Sequence, residues 1–225
     1  MAGRKALSKT PLSRERIVDA AAEVADESGL AGVSMRSVGK RLGVEAMSLY
    51  HHIAGKEQLL DELADWVFGR IQLPSPEAGW RDGMRDRAQA ARAVLSAHPW
   101  GLTLVESRRA AGLAVLEHHN AVLGCLRRNG FSVNLAAHAF SVIDSYIYGF
   151  VLTEQRLPFE ADERVEDYVA EVTLLDERFP YMVELVNELI VGQDYAYGNE
   201  FDHGLELILD ALAARLTGET GHPSG

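Results

Sequence analysis

"SMRSVGKRLGVEAMSLYHHIAGKEQLL", residues 34–60, decides the fold. Ser34 is a strong N-cap for a short helix that ends near Leu42. Gly43 permits a tight turn, and a second short helix runs from about Glu45 to His51. Val38, Leu42, Val44, Leu49 and Ile53 supply an apolar side that packs on the preceding helix. Two short helices joined by a few residues that include a glycine make a helix-turn-helix pattern. Gly55 then opens a longer helix, "KEQLLDELADWVFGRI", with Leu59, Leu63, Trp66, Val67 and Ile71 on one face.

The placement of charge gives this pattern a purpose. Lys56 stands in the first turn of its helix, where a cation costs ~0.3–1 kcal/mol against the helix dipole. That cost is offset if an anion sits there, and helix N-termini bind phosphate through their free N–H groups. Tyr50, His51 and His52 lie just upstream, placed to donate to neighbouring phosphates. Arg36, near the start of the first short helix, can clamp another. Such contacts position a protein on DNA without reading sequence. Reading falls to the front of the second short helix: Glu45, Ala46, Met47 and Ser48.

Upstream, "SRERIVDAAAEVADESG" carries Ile17, Ala20, Ala21, Val24 and Ala25 on one helical face. Ser13 starts this helix and Gly29 ends it, and residues 1–12 read as a flexible basic arm. Downstream, the Pro- and Gly-rich "LPSPEAGW" places a boundary near Leu73. The expected division is therefore a helix-turn-helix domain over 13–73, a larger helical domain over 74–217 and a disordered tail over 218–225. Helices are expected at about 80–97, 101–107, 110–129, 133–155, 162–189 and 200–217, the fifth breaking near Phe179-Pro180. Strand-like alternation is missing, so the fold class is all-α.

The composition is ordinary for a globular chain of 225 residues, but its charge is uneven. The formal net charge is -11, yet residues 1–60 hold nine Lys/Arg and seven Asp/Glu, a net of +2. The remainder holds thirteen and twenty-six, a net of -13. A basic unit on an acidic body suggests a nucleic-acid module attached to a larger domain. A single cysteine, Cys125, suits a reducing cytoplasm. The N-terminus lacks the apolar core of a secretory signal, and no uninterrupted apolar run suggests a membrane span. The expectation is a cytoplasmic protein with no membrane partner.

"GLAGVSMRSVGKRLGVEAMSLYHHIAGKEQLLDELAD" resembles the DNA-binding domain of the TetR (tetracycline-repressor) family. The resemblance rests on the G-V-S-M-R lead, the V-x-K-R-L-G-V turn, the L-Y-x-H end of the second short helix and the K-x-x-L-L opening of the next. Ser34, Met35 and Arg36, which close that lead, join the DNA-facing set. "LGCLRRNGFSVNLAAHAFSVIDSYIYGFVLTEQ" and "FDHGLELILDALAARL" resemble the family's tetracycline-type regulatory domain. The resemblance implies double-stranded operator DNA as partner and a small-molecule effector that spreads the two reading heads. It also implies a homodimer through the helices near 133–155 and 200–217. Half-sites should lie about one helical turn apart, ~34–36 Å. The chain departs from tetracycline repressors at Ala46 and Met47, where they carry an amide and a proline. Neither residue can bond adenine through two hydrogen bonds, so apolar contact with thymine methyls is the expected use. The drug-chelated magnesium ligands do not carry over either, so neither tetracycline nor a metal is expected.

Small-molecule sites call for apolar walls with a few polar anchors. Trp66, His98, Trp100, His119, Asp144 and Tyr148 are the candidate effector contacts, with a satisfied core as the competing reading of Asp144 and the tyrosines. Adjacent histidines, as at His51-His52 and His118-His119, point to different sides of a helix and do not form a metal pair. No cofactor is expected. G-x-S-x-G, P-loop and H-E-x-x-H patterns are absent from the sequence, so no enzymatic activity is expected. The leading function is an effector-released DNA-binding repressor; the alternatives are an effector-independent dimeric DNA-binding regulator and, remotely, a small-molecule-binding enzyme that turnover of a bound molecule would reveal.

Overall fold

The computed structural model describes residues 11–77, 79–107, 112–157, 178–193 and 195–220. The described residues contain helices and turns and no strand. They divide into two compact units, residues 1–72 with 97–120 and residues 73–96 with 121–225.

The first unit opens with α1 (Arg14–Gly32), capped by the Ser13 hydroxyl, which accepts from the Arg16 N–H. Gly29 has a left-handed φ of 65°, so the helix kinks where it was expected to end and closes three residues later. α2 (Met35–Leu42) begins with a full capping box: Ser34 and Ser37 each accept the other's backbone N–H. It ends at Gly43, whose φ of 68° a side chain would resist. α3 (Ala46–Leu49) is a single turn, and α4 (Lys56–Phe68) follows Gly55. Ile17, Val24, Val38, Leu49, Ile53, Leu59, Leu63 and Val67 are buried, the core that orients all four helices. Each such side chain contributes roughly 1.5–3 kcal/mol of burial.

α6 (Trp100–Ser107) packs on α1 and α4, so residues 97–120 cluster by contact with the first unit, although they follow the expected boundary near Leu73. The physical reason is polar as well as apolar. Asp26 of α1 accepts from the indole N–H of Trp100 at 2.6 Å and from Nδ1 of His98 at 2.8 Å. The start of α7 (Leu113–Arg128) also lies in this unit, where buried His118 meets Phe68 edge-on at 5.2 Å.

The second unit is built on α5 (Trp80–Ala97), the later part of α7, α8 (Val133–Glu154) and α10 (Glu200–Thr220). α8 is long and apolar enough to match a membrane span by length and composition. Leu135, Ala139, Ile143, Ile147 and Val151 are buried, and the helix packs on α10, so it serves as a core helix. α10 runs three residues beyond its expected end, to Thr220, and residues 221–225 lie outside those described. Of the expected 162–189 helix, residues 162–177 also lie outside. A short helix α9 (Pro180–Leu185) starts at the expected break and continues as one π-helical turn, Val186–Ile190.

Ion pairs fasten α5 to α8 and to α10. Arg92 pairs with Glu154, donates to the Gly198 carbonyl at 3.0 Å and lies over the rings of Phe150 and Phe201. Arg81 and Arg85 both hold Glu206. Their hydrogen bonds lower the Glu206 carboxyl from its ordinary 4.5 to about 2. A depressed carboxyl stabilises the fold fully above its unfolded value and ceases to do so as pH falls through its folded value. The melting temperatures of wild type and Glu206→Gln should therefore differ at neutral pH and converge between pH 4.5 and about 2. A gap that is constant down to pH 2 would show that the pair does not depend on the carboxylate's charge.

Candidate functional site

The buried Leu49 fixes the rotation of α3 and turns its other residues outward. Glu45 is exposed and its side chain makes no cap contact, while Met47 is 73% exposed. Ala46 and Ser48 are half-buried. Tyr50, His51 and His52 are all exposed in the turn that follows. Lys56 is exposed at the first position of α4, and no side chain caps that helix at Gly55. The Gln58 side chain instead reaches back to accept the Ala54 N–H at 2.7 Å. The first unit thus presents aromatic, imidazole, thioether and ammonium groups next to an open helix N-terminus.

Two of the DNA-facing expectations need correction. Met35 is buried, on the same side of α2 as Val38, and belongs to the core. Ser34 is half-buried with its hydroxyl engaged in the capping box. Arg36 is exposed beside them. Arg41, by contrast, is bound to Glu23 and Glu27 of α1.

The six candidate effector residues fall into separate groups. In the first unit, Trp66, His98 and Trp100 form an aromatic triad with ring separations of 4.9, 5.7 and 6.0 Å. Trp100 is buried and spends its N–H on Asp26. Trp66 spends its own on Asp19 at 2.7 Å, with the Arg70 guanidinium over its ring. His119 is half-buried against Phe68 at 6.2 Å. In the second unit, Asp144 pairs with buried Arg87 at 2.5 Å and accepts from the Tyr148 hydroxyl at 3.4 Å. The polar groups of the triad and of Asp144 are thus engaged within the protein, which favours a satisfied core for Trp100 and Asp144.

Sequence reasoning missed Asp19, Asp26 and Arg87. The two aspartates sit seven residues apart on α1, but their partners lie 47 to 74 residues away, so no local pattern marks them. Arg87 was detectable: it interrupts an apolar face made by Met84, Ala88, Ala91 and Leu95. Among the described residues no cluster suited to a metal ion occurs. Burial raises the Cys125 thiol, which disfavours the reactive thiolate.

Two family descriptions match this chain. Residues 17–63 match "Bacterial regulatory proteins, tetR family", and residues 73–216 match "Tetracyclin repressor-like, C-terminal domain". The chain belongs to the TetR family. Among its relatives is the HTH-type transcriptional repressor DrrR1 of Streptomyces coeruleorubidus, 33% identical over 91% of this chain and 78% of that protein. Tetracycline repressor protein class D of Escherichia coli is 29% identical, over 92% of this chain and 91% of its own. Among solved structures, ActR of Streptomyces coelicolor in complex with actinorhodin is similar with a TM-score of 0.73 and 26% identity. That likeness covers 92% of this TetR-family chain and 99% of ActR. The helix-turn-helix of a transcriptional regulator thus occupies its first unit.

Proposed function

We propose that this TetR-family chain is a repressor that grips a near-palindromic operator as a homodimer and is released by an organic small molecule, with no catalytic step. The observation that carries the DNA half is the exposed row from Met47 through Tyr50 and His52 to Lys56, set at an uncapped helix N-terminus. Its helices fit the geometry in which the second short helix enters the major groove. Effector release is supported by ActR, solved with actinorhodin bound, and by kinship to tetracycline repressors. In the first unit, Trp66, His98 and His119 are half-buried and are the contacts we assign to an effector there; buried Trp100 stands against Trp66 and His98. In the second unit Tyr148 is half-buried beside Asp144. An effector favours release only through its greater affinity for the released form.

The dimer reading rests on α8 and α10. Their packed sides leave an outward face of Ala137, His138, Ser141 and Val142 on α8 and of Leu207, Ala211 and Ala214 on α10. Between them lies a half-open cavity of about 420 Å3 lined by Leu135, His138, Val142, Ile208, Ala211, Leu212 and Arg215. Small side chains allow close approach of helices from a second copy.

The experiment is selection of random duplexes on the full chain at fixed salt, followed by titration of the enriched sequence. A near-palindrome with half-sites about one turn apart is expected. Tyr50→Ala and Lys56→Ala should weaken binding with no change in melting temperature. Lys56→Ala should also reduce the slope of log affinity against log salt by about one unit. Unchanged affinity for both variants would remove this face from the operator contact.

A further inference from the structure

We infer that Met47 is the specificity-determining side chain of the reading head and that it selects a thymine by its C5-methyl group. This inference rests on the DNA-binding reading and names what is read.

Three observations converge on Met47. First, it is the most exposed large apolar side chain described in the first unit, at 73%. An unbranched thioether held out in water on a helix otherwise fixed by buried Leu49 has its apolar surface available for a partner. Second, its neighbour cannot take the role. Ala46 is half-buried because α3 runs close over α2: a Cβ on Gly39 would stand 3.3 Å from the Ala46 Cα and 3.0 Å from the Val44 carbonyl. A single methyl group on a backbone held this close to α2 reaches less far towards a base edge than the Met47 thioether does. Third, Met47 is flanked by groups suited to backbone contact, with Tyr50, His51, His52 and Lys56 exposed after it and Arg36 exposed on α2. That frame places Met47 at the groove floor whenever those groups meet phosphates.

The chemistry then narrows the base. A thioether offers no donor and only a weak acceptor. Set against guanine, cytosine or adenine in the major groove, it would cover donors or acceptors without replacing their water. Thymine alone presents a methyl group there. Met47 therefore favours thymine by apolar contact and disfavours the other bases by leaving their polar edges unpaired.

The test uses the full chain and its selected operator. Each thymine of the half-site is replaced in turn by uracil, in both half-sites, which deletes the methyl group and leaves the hydrogen-bonding edges intact. At one position the wild-type protein should lose about tenfold in affinity, the effect of about two methyl-sized apolar contacts per dimer. Met47→Ala should bind the thymine and uracil duplexes at that position equally, with an unchanged melting temperature. Met47→Gln should move the preference there towards adenine, which an amide can bond through N6 and N7. A uracil series with no loss at any position, or an equal loss in wild type and Met47→Ala, overturns the role of Met47 and leaves DNA binding standing. Enrichment of no duplex by the folded protein overturns the DNA-binding reading and this inference with it.

Discussion

Arg87→Ala is expected to lower the unfolding free energy by about 3–5 kcal/mol, because it removes one member of a buried ion pair and leaves the other. Arg87 comes from α5 and Asp144 from α8, with side chains 1% and 11% exposed. Taking either charge out of water carries a penalty that its partner offsets. The α5 face around Arg87 is otherwise Met84, Ala88 and Ala91, and the α8 face around Asp144 is Ile143 and Ile147. Water has little access there to rescue a lone carboxylate. Urea unfolding of the two proteins reads the difference directly. The double variant Arg87→Met with Asp144→Leu should recover most of it, since apolar residues of similar volume replace a buried pair at little cost. A loss below about 1 kcal/mol for Arg87→Ala would place the pair among hydrated surface contacts.

The second large effect concerns assembly. Val142 is 42% exposed on the outward face of α8, and Ala211 is exposed on α10 beside it in the same cavity. Val142→Glu combined with Ala211→Glu places carboxylates where the proposed twin subunit packs, and symmetry brings the like charges of the second copy to the same patch. Sedimentation should show a monomer, and operator affinity should drop by about 100-fold or more. The drop arises because two linked heads bind with a high effective concentration at the second half-site, and a monomer loses that advantage. A variant that remains dimeric would move the interface away from this face. A monomeric variant with wild-type affinity would show that one head suffices.

The parts of this molecule that could be read from sequence are those whose causes are local. Ser34 and Ser37 cap each other across three residues, and Gly43 makes its turn within one, so the helix-turn-helix is written in a few adjacent letters. Lys56 stands out in the sequence because a cation at a helix N-terminus is out of place unless it has an anion to meet, and the structure sets it exposed at the first position of α4. Met35 was misjudged although its spacing from Val38 already set it on the core face. The effector candidates fared differently. Trp100 and Asp144 were singled out as polar groups in apolar surroundings, and both have partners supplied from far along the chain, Asp26 and Arg87. Sequence shows that a buried N–H or carboxylate needs a partner, and only the fold shows which one has been provided.

The bond from Trp100 to Asp26 has a consequence for anyone who would transplant the reading head. The linker at residues 73–80 invites a cut there, and a graft made at Gln72 would carry Asp26 without the indole and imidazole that it receives from residues 97–120. It would also uncover the face on which α6 lies against α1 and α4. The exchangeable part is therefore discontinuous: an exchange of regulatory halves should keep these contacts when residues 97–120 travel with the head, and the seam then falls at three points of the chain instead of one.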